Sequence, residues 1–166
     1  ALKALADVPN VVAIHEAGVT AHGLAYLVTK YCPAGSLLDH VTRVGRLAPA
    51  EVRRIGAKVA RALAIAHRRE IYHRNVKPAN ILINSAMEPS LTDFGLVALD
   101  ISDGDYKPPL PPRPRAYVAP EAYLPELMSA ASDIYALGAT LYSLLAGWAP
   151  RTIDPLAVAV AGDTLA

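Results

Sequence analysis

Two polar runs constrain this chain more than any other feature: His73-Arg74-Asn75-Val76-Lys77-Pro78-Ala79-Asn80, and then Asp93-Phe94-Gly95. Between them lie two short strand-like runs, Ile81 to Ile83 and Ser90 to Thr92, with turn-forming residues from Ser85 to Pro89. Short apolar runs separated by turn residues read as paired strands. Such a pair brings the side chains of Asn80 and Asp93 together in space. A side-chain carbonyl and a carboxylate are hard oxygen donors, the type that Mg2+ prefers, and Lys77 adds positive charge beside them. Position 75 carries an amide, which cannot accept the proton of an attacking hydroxyl as a carboxylate would.

The remaining pattern mixes strands and helices, an α+β arrangement. At 166 residues the chain is one domain or a piece of one, long enough to bury a core. Ala1 to Ala6 reads as the last turns of a helix, ended by Asp7-Val8-Pro9-Asn10. Val11 to Ile14 and Leu24 to Val28, separated by Gly18, Thr20 and Gly23, read as a β-hairpin. Ser36, with Asp39 three residues on, is a variant of the capping box, and the helix it starts should end near Gly45. Pro49 opens a second helix in which Val52, Ile55, Val59, Leu63 and Ala66 recur at spacings of three and four. Its other face, with Arg53, Arg54, Lys58 and Arg61, reads as a solvated basic surface. Residues 96–118 look irregular and hold five prolines between Pro108 and Pro114. Ser132-Asp133 should then start a helix, Ile134 to Ala146, whose apolar residues surround much of its circumference and predict burial.

Several function classes are disfavoured. A formal net charge of +1 supplies no strong field for nucleic acid or anionic lipid. Cys32 is the only cysteine, which rules out an internal disulfide and fits a reducing compartment. The start, Ala1-Leu2-Lys3-Ala4-Leu5, lacks the form of a signal peptide. The longest apolar stretch, Ile134 to Pro150, is shorter than the ~20 residues a membrane span needs. A soluble cytoplasmic protein, with no nucleic acid partner and no membrane segment in this chain, is the expectation.

The order and spacing of these motifs carry a resemblance. His73-Arg74-x-x-Lys77-Pro78-x-Asn80, Asp93-Phe94-Gly95, Ala119-Pro120-Glu121 and Ser132-Asp133-x-Tyr135-x-x-Gly138 together resemble the eukaryotic-like Ser/Thr protein kinases of bacteria. Pro9-Asn10-Val11-Val12 and Tyr26-Leu27-Val28-Thr29-Lys30-Tyr31-Cys32 extend the likeness upstream, so that it covers nearly all of residues 1–147. It implies a partial kinase-like fold. Residues 1–31 would supply the end of helix C and the last strands of the small lobe. Residues 32–150 would form the large lobe through helix F, with an activation segment at 93–121, and 151–166 would begin the next region. It also implies ATP and Mg2+ as cofactors and a protein as substrate or regulated partner. Lys30, Tyr31 and Cys32 would be the hinge that pairs with adenine, with Thr29 as gatekeeper and Leu82 beneath the ring. Asn80 and Asp93 would hold the metal, and Lys77 would approach the terminal phosphate from beside the base position, Asn75. His73 and Phe94 would stack in the spine between the lobes, and Asp133 would hold the catalytic-loop backbone. Arg74, Gly95 and Glu121 complete the supporting set, Glu121 by pairing with an arginine far downstream.

Four departures qualify that likeness. Asn75 replaces the catalytic aspartate, and losing a general base typically removes about 10²–10⁴ in rate. The glycine-rich loop and the strand lysine that cover and anchor the ATP phosphates have no counterpart in this chain. The chain ends before the last helices of a large lobe, which would leave Glu121 buried without its arginine, a cost of several kcal/mol. The second helix and Ile134 to Ala146 would then expose apolar surface, so low stability or self-association is expected. Finally, Arg113-Pro114-Arg115 stands where the family has Gly-Thr-Pro, and no threonine lies between Leu96 and Val118. An impaired kinase domain, a pseudokinase truncated at both ends, is the first reading. A piece of a working kinase is the alternative. A third is an interaction module using residues 107–115, whose P-x-x-P-x-R pattern favours polyproline II and fits aromatic-grooved domains.

Overall fold

The computed structural model describes residues 5–94, 115–123 and 128–151. An antiparallel hairpin opens it, β1 (Ile14–Val19) with β2 (Ala25–Thr29), joined through a turn in which the Gly23 N–H donates to the Thr20 carbonyl. The first strand lies later than its apolar pattern predicts. Asn10 turns the chain with a φ of 63°, and Val11 and Val12 leave for a different partner: the Leu91 N–H donates to the Asn10 carbonyl and the Val12 N–H to that of Leu91. β1 then runs on through Glu16 and Gly18, because a ribbon with exposed faces has no need of apolar alternation. Gly18 leaves room there for a neighbouring side chain. A Cβ would fall 2.7 Å from the Tyr26 ring, which lies across it and donates its hydroxyl to Glu16.

Helix α1 (Leu37–Val44) forms where its cap predicts. The Ser36 hydroxyl accepts from the Asp39 N–H at 3.1 Å, and the Asp39 carboxylate accepts from the Ser36 N–H at 2.8 Å. Gly45, at a φ of 86°, ends it. Helix α2 (Pro49–Arg68) buries Val52, Ile55, Val59, Leu63 and Ala66 as the periodicity requires, and also Gly56 and Ala62. The basic face is partly tied down, since Glu88 accepts from Arg54 at 3.2 Å and also from Lys58. No large apolar side chain of α2 is exposed, contrary to expectation; arginines and alanines form its outer surface.

Past α2 the chain returns through the Pro78–Asn80 turn into a second hairpin, β3 (Ile81–Ile83) with β4 (Pro89–Leu91). β4 thus starts one residue before the run read from the sequence. Helix α3 (Ala130–Ala146) also begins earlier than expected, with Ser129 as its cap and the Ser132 hydroxyl accepting from the Ser129 N–H at 3.2 Å. α3 packs on α2, where Leu141 lies so close over Gly56 that a Cβ there would meet it at 2.9 Å. The expectation of a buried α3 fails on one side. Its inner face is Ser132, Asp133, Ala136, Leu137, Thr140, Ser143 and Leu144, whereas Ile134, Tyr135, Tyr142 and Leu145 are exposed. The core, with Leu37, Ile55, Leu63, Ile81, Leu91 and Leu144 at its densest, joins all three helices to the second hairpin.

Candidate active site

Helix α3 carries the anchor of the site. Asp133 is buried at 1% exposure, and its two oxygens accept the N–H of His73 at 2.8 Å and the N–H of Arg74 at 2.7 Å. A buried carboxylate is costly unless charge-assisted hydrogen bonds surround it. His67, on the last turn of α2, supplies a third with Nε2 at 2.8 Å from Asp133. Gripped this way, Arg74 takes a φ of 65°, a left-handed conformation that costs a non-glycine residue of order 1–3 kcal/mol and persists only when its surroundings impose it.

The polar run then folds around itself. The Asn75 N–H donates to His73 Nδ1 at 3.3 Å, and the buried Asn80 amide donates to the Asn75 carbonyl at 2.8 Å. That leaves the Asn80 side-chain oxygen as its remaining donor group for a cation. The Thr92 N–H donates to the Asn80 carbonyl at 3.0 Å, so the second hairpin closes with Asp93 one residue from this bond. Asp93 has a φ of 63°, and its carboxylate accepts from the Thr92 hydroxyl at 3.2 Å. His73 and Phe94 stack with ring centroids 4.4 Å apart. Complete burial pushes the His73 pKa down, against the opposing field of Asp133. Lys77 is half-buried and lines a small pocket with Asn75, Tyr117 and Ser129, where residues 115–123 approach the loop.

The hinge candidates follow β2. The Lys30 N–H is taken by the Ala13 carbonyl at 2.8 Å, Tyr31 is exposed, and Cys32 is buried, which pushes its thiol pKa up. Leu82, on β3, bridges to Ser36 just beyond that segment. Thr29, the last residue of β2, lines a narrow cavity with Leu27, Leu91, Asp93 and Phe94. Glu121 corrects an expectation: it is exposed rather than buried, and it accepts from the Ser132 hydroxyl at 3.0 Å, so no penalty for an unpaired buried charge arises. Gly95 and the proline-rich residues 107–114 lie outside the described residues.

Two contributors escaped the sequence reading. His67 was readable only as a polar residue beside the apolar stripe of α2, and Thr92 only as the end of a strand. A hard-oxygen pair at Asn80 and Asp93 suits Mg2+, which is bound by few protein ligands and keeps several waters. The donor set therefore fits the metal that phosphoryl transfer requires.

Comparison with known proteins gives a consistent result. A family model described as protein kinase domain matches residues 1–155. The serine/threonine-protein kinase PknK of Mycobacterium bovis is 38% identical over 149 residues, covering 90% of this chain and 13% of that protein. The serine/threonine protein kinase OSK3 of Oryza sativa subsp. indica is 33% identical over 143 residues, covering 86% and 28%. PknB of Mycobacterium leprae, also a serine/threonine-protein kinase, is 33% identical over 156 residues, covering 91% and 25%. The chain thus spans between 13% and 28% of the length of these relatives.

Proposed function

Because the chain belongs to the protein kinase family, we propose that it is a Ser/Thr kinase-like domain that binds ATP with Mg2+ and is impaired in transfer to protein hydroxyls. The observation that carries this reading is a well-anchored loop around the wrong side chain. Asp133 holds residues 73 and 74, and Asn80 holds the carbonyl of residue 75, while residue 75 itself is an amide. In this reading Asn80 and Asp93 hold the metal, which when bound neutralises charge on the phosphate oxygens. Lys77 adds positive charge at the transferred group. The Asn75 side-chain carbonyl can accept a hydrogen bond from a substrate hydroxyl and so orient it, but it cannot keep the proton. Lys30 to Cys32 and Leu82 form the adenine side, with Thr29 beside Asp93. His73, Arg74, Phe94, Gly95, Glu121 and Asp133 support them.

Positioning without a base yields a regulator of another protein, a pseudokinase that keeps its nucleotide. Transfer measured on the full chain with ATP, Mg2+ and a generic Ser/Thr peptide should rise about 100-fold or more in Asn75→Asp, with ATP affinity unchanged. Equal rates for the two proteins would overturn the impairment, and favour a working kinase. Absence of ATP binding in both would remove the nucleotide from the reading.

A further inference from the structure

We propose that the groove between α1, the Pro78 turn and the end of α3 docks a short extended segment of a partner protein, one bulky apolar residue flanked by acidic residues. The groove has a volume of about 180 Å³ and is lined by Leu38, Val41, Pro78, Tyr117, Leu144 and Trp148, among others. A single water needs only ~10–15 Å³, so this space takes a large side chain. It is preformed. The Leu47 N–H donates to the Leu144 carbonyl at 2.8 Å, binding the end of α1 to the end of α3. Gly147, at a φ of 85°, packs so tightly on that turn that a Cβ would meet the Gly45 carbonyl oxygen at 2.6 Å. Trp148 is 65% exposed and Leu38 46%, and an exposed tryptophan at the lip of a pocket is a frequent anchor of protein association.

Charge selects the partner. No lining residue is ionisable at neutral pH. Arg46 borders the groove, its Cβ 3.6 Å from the place a Gly147 Cβ would take, and the exposed Arg151 follows two residues after the lining Ala149. Neither has an ion-pair partner among the described residues. Asp39, the one carboxylate of α1, is engaged by the Ser36 cap. Among the described residues, an acidic flank therefore finds two guanidinium groups without an ion-pair partner, and α1 offers a basic flank no unengaged carboxylate. Tyr117 lines both this groove and the pocket with Asn75 and Lys77, so a bound segment continues toward the loop. The inference rests on the reading above in taking a protein as the partner.

Trp148 is the only tryptophan of the chain and reports directly on the groove. Its emission should change saturably when the full chain is titrated with a synthetic peptide carrying phenylalanine between glutamates. Replacing that phenylalanine by serine, or the glutamates by lysines, should weaken binding about tenfold or more. Leu38→Glu should do the same, and Arg46→Glu with Arg151→Glu should reverse the flank preference. ATP binding with Mg2+, followed by equilibrium dialysis, should stay unchanged in both variants; its absence throughout counts against the nucleotide reading and leaves the peptide result to decide the groove. No saturable response to any peptide, equal affinity for lysine flanks, or a Trp148 shielded from acrylamide in the free chain, its groove covered by other residues of the same chain, would overturn the proposal.

Discussion

At the scale of single residues, the site is built on buried polar groups held by specific hydrogen bonds, with His73 Nε2 and Arg74 Nε left unpaired among the described residues. Asp133 accepts from two backbone N–H groups and meets His67, while His73 sits at 0% exposure between this anchor and Phe94. Burial holds the His73 pKa below its ordinary 6.5, so the folded chain keeps a neutral ring where the unfolded chain takes up a proton. The sign follows from linkage: stability is fully present above about pH 6.5 and is lost as the pH falls through the depressed folded value. Urea denaturation midpoints should drop between pH 7.5 and pH 5 in the unmodified chain. In His73→Phe, which keeps the stacking on Phe94 but cannot titrate, that part of the slope should vanish. An identical slope in the variant would mean that the other histidines, not His73, set the acid sensitivity.

Whole elements show which parts of the sequence were readable and why. α1 and α2 formed as expected because their signals are local: a capping serine, a proline at the first helical position and an apolar stripe all act within a turn or two. Ser36→Ala removes the oxygen that accepts the Asp39 N–H and should cost about 1 kcal/mol, read as a shift in the denaturation midpoint. An unchanged midpoint would show that the packing of Leu37 fixes α1 without its cap. β1 was misplaced because strand pairing is non-local. Nothing near Val11 announces that its partner is Leu91 rather than the hairpin beside it. α3 starts a turn early because Ser129 takes the cap position, its N–H donating to the Ser132 hydroxyl, so that Ser132 lies inside the first turn. The approach of Asn80 to the Thr92–Asp93 turn was legible in the strand–turn–strand pattern between them. His67 was not, because its meaning depends on Asp133, 66 positions away.

At the scale of the molecule, the described residues form a core with one side left open. The inner face of α3 satisfies its own polar groups: the Thr140 hydroxyl donates to the Ala136 carbonyl at 2.8 Å and that of Ser143 to the Thr140 carbonyl at 2.7 Å. Its outer face is the more apolar one, with Ile134 at 52% exposure, Tyr142 at 49% and Leu145 at 42%, all within one helical stripe. Exposed apolar side chains sharing one helical stripe favour association. None of these side chains lines the groove at Trp148, so the two surfaces are separable by mutation. Sedimentation of the full chain should show a mass that rises with protein concentration. Ile134→Lys with Leu145→Glu should move the midpoint of that rise up by at least about tenfold, since each removes an apolar contact worth on the order of 1 kcal/mol. Peptide binding reported by Trp148 should be untouched. A chain that stays monomeric at every concentration, with or without the two substitutions, would mean that α3 is covered in solution by residues of the same chain outside the described set.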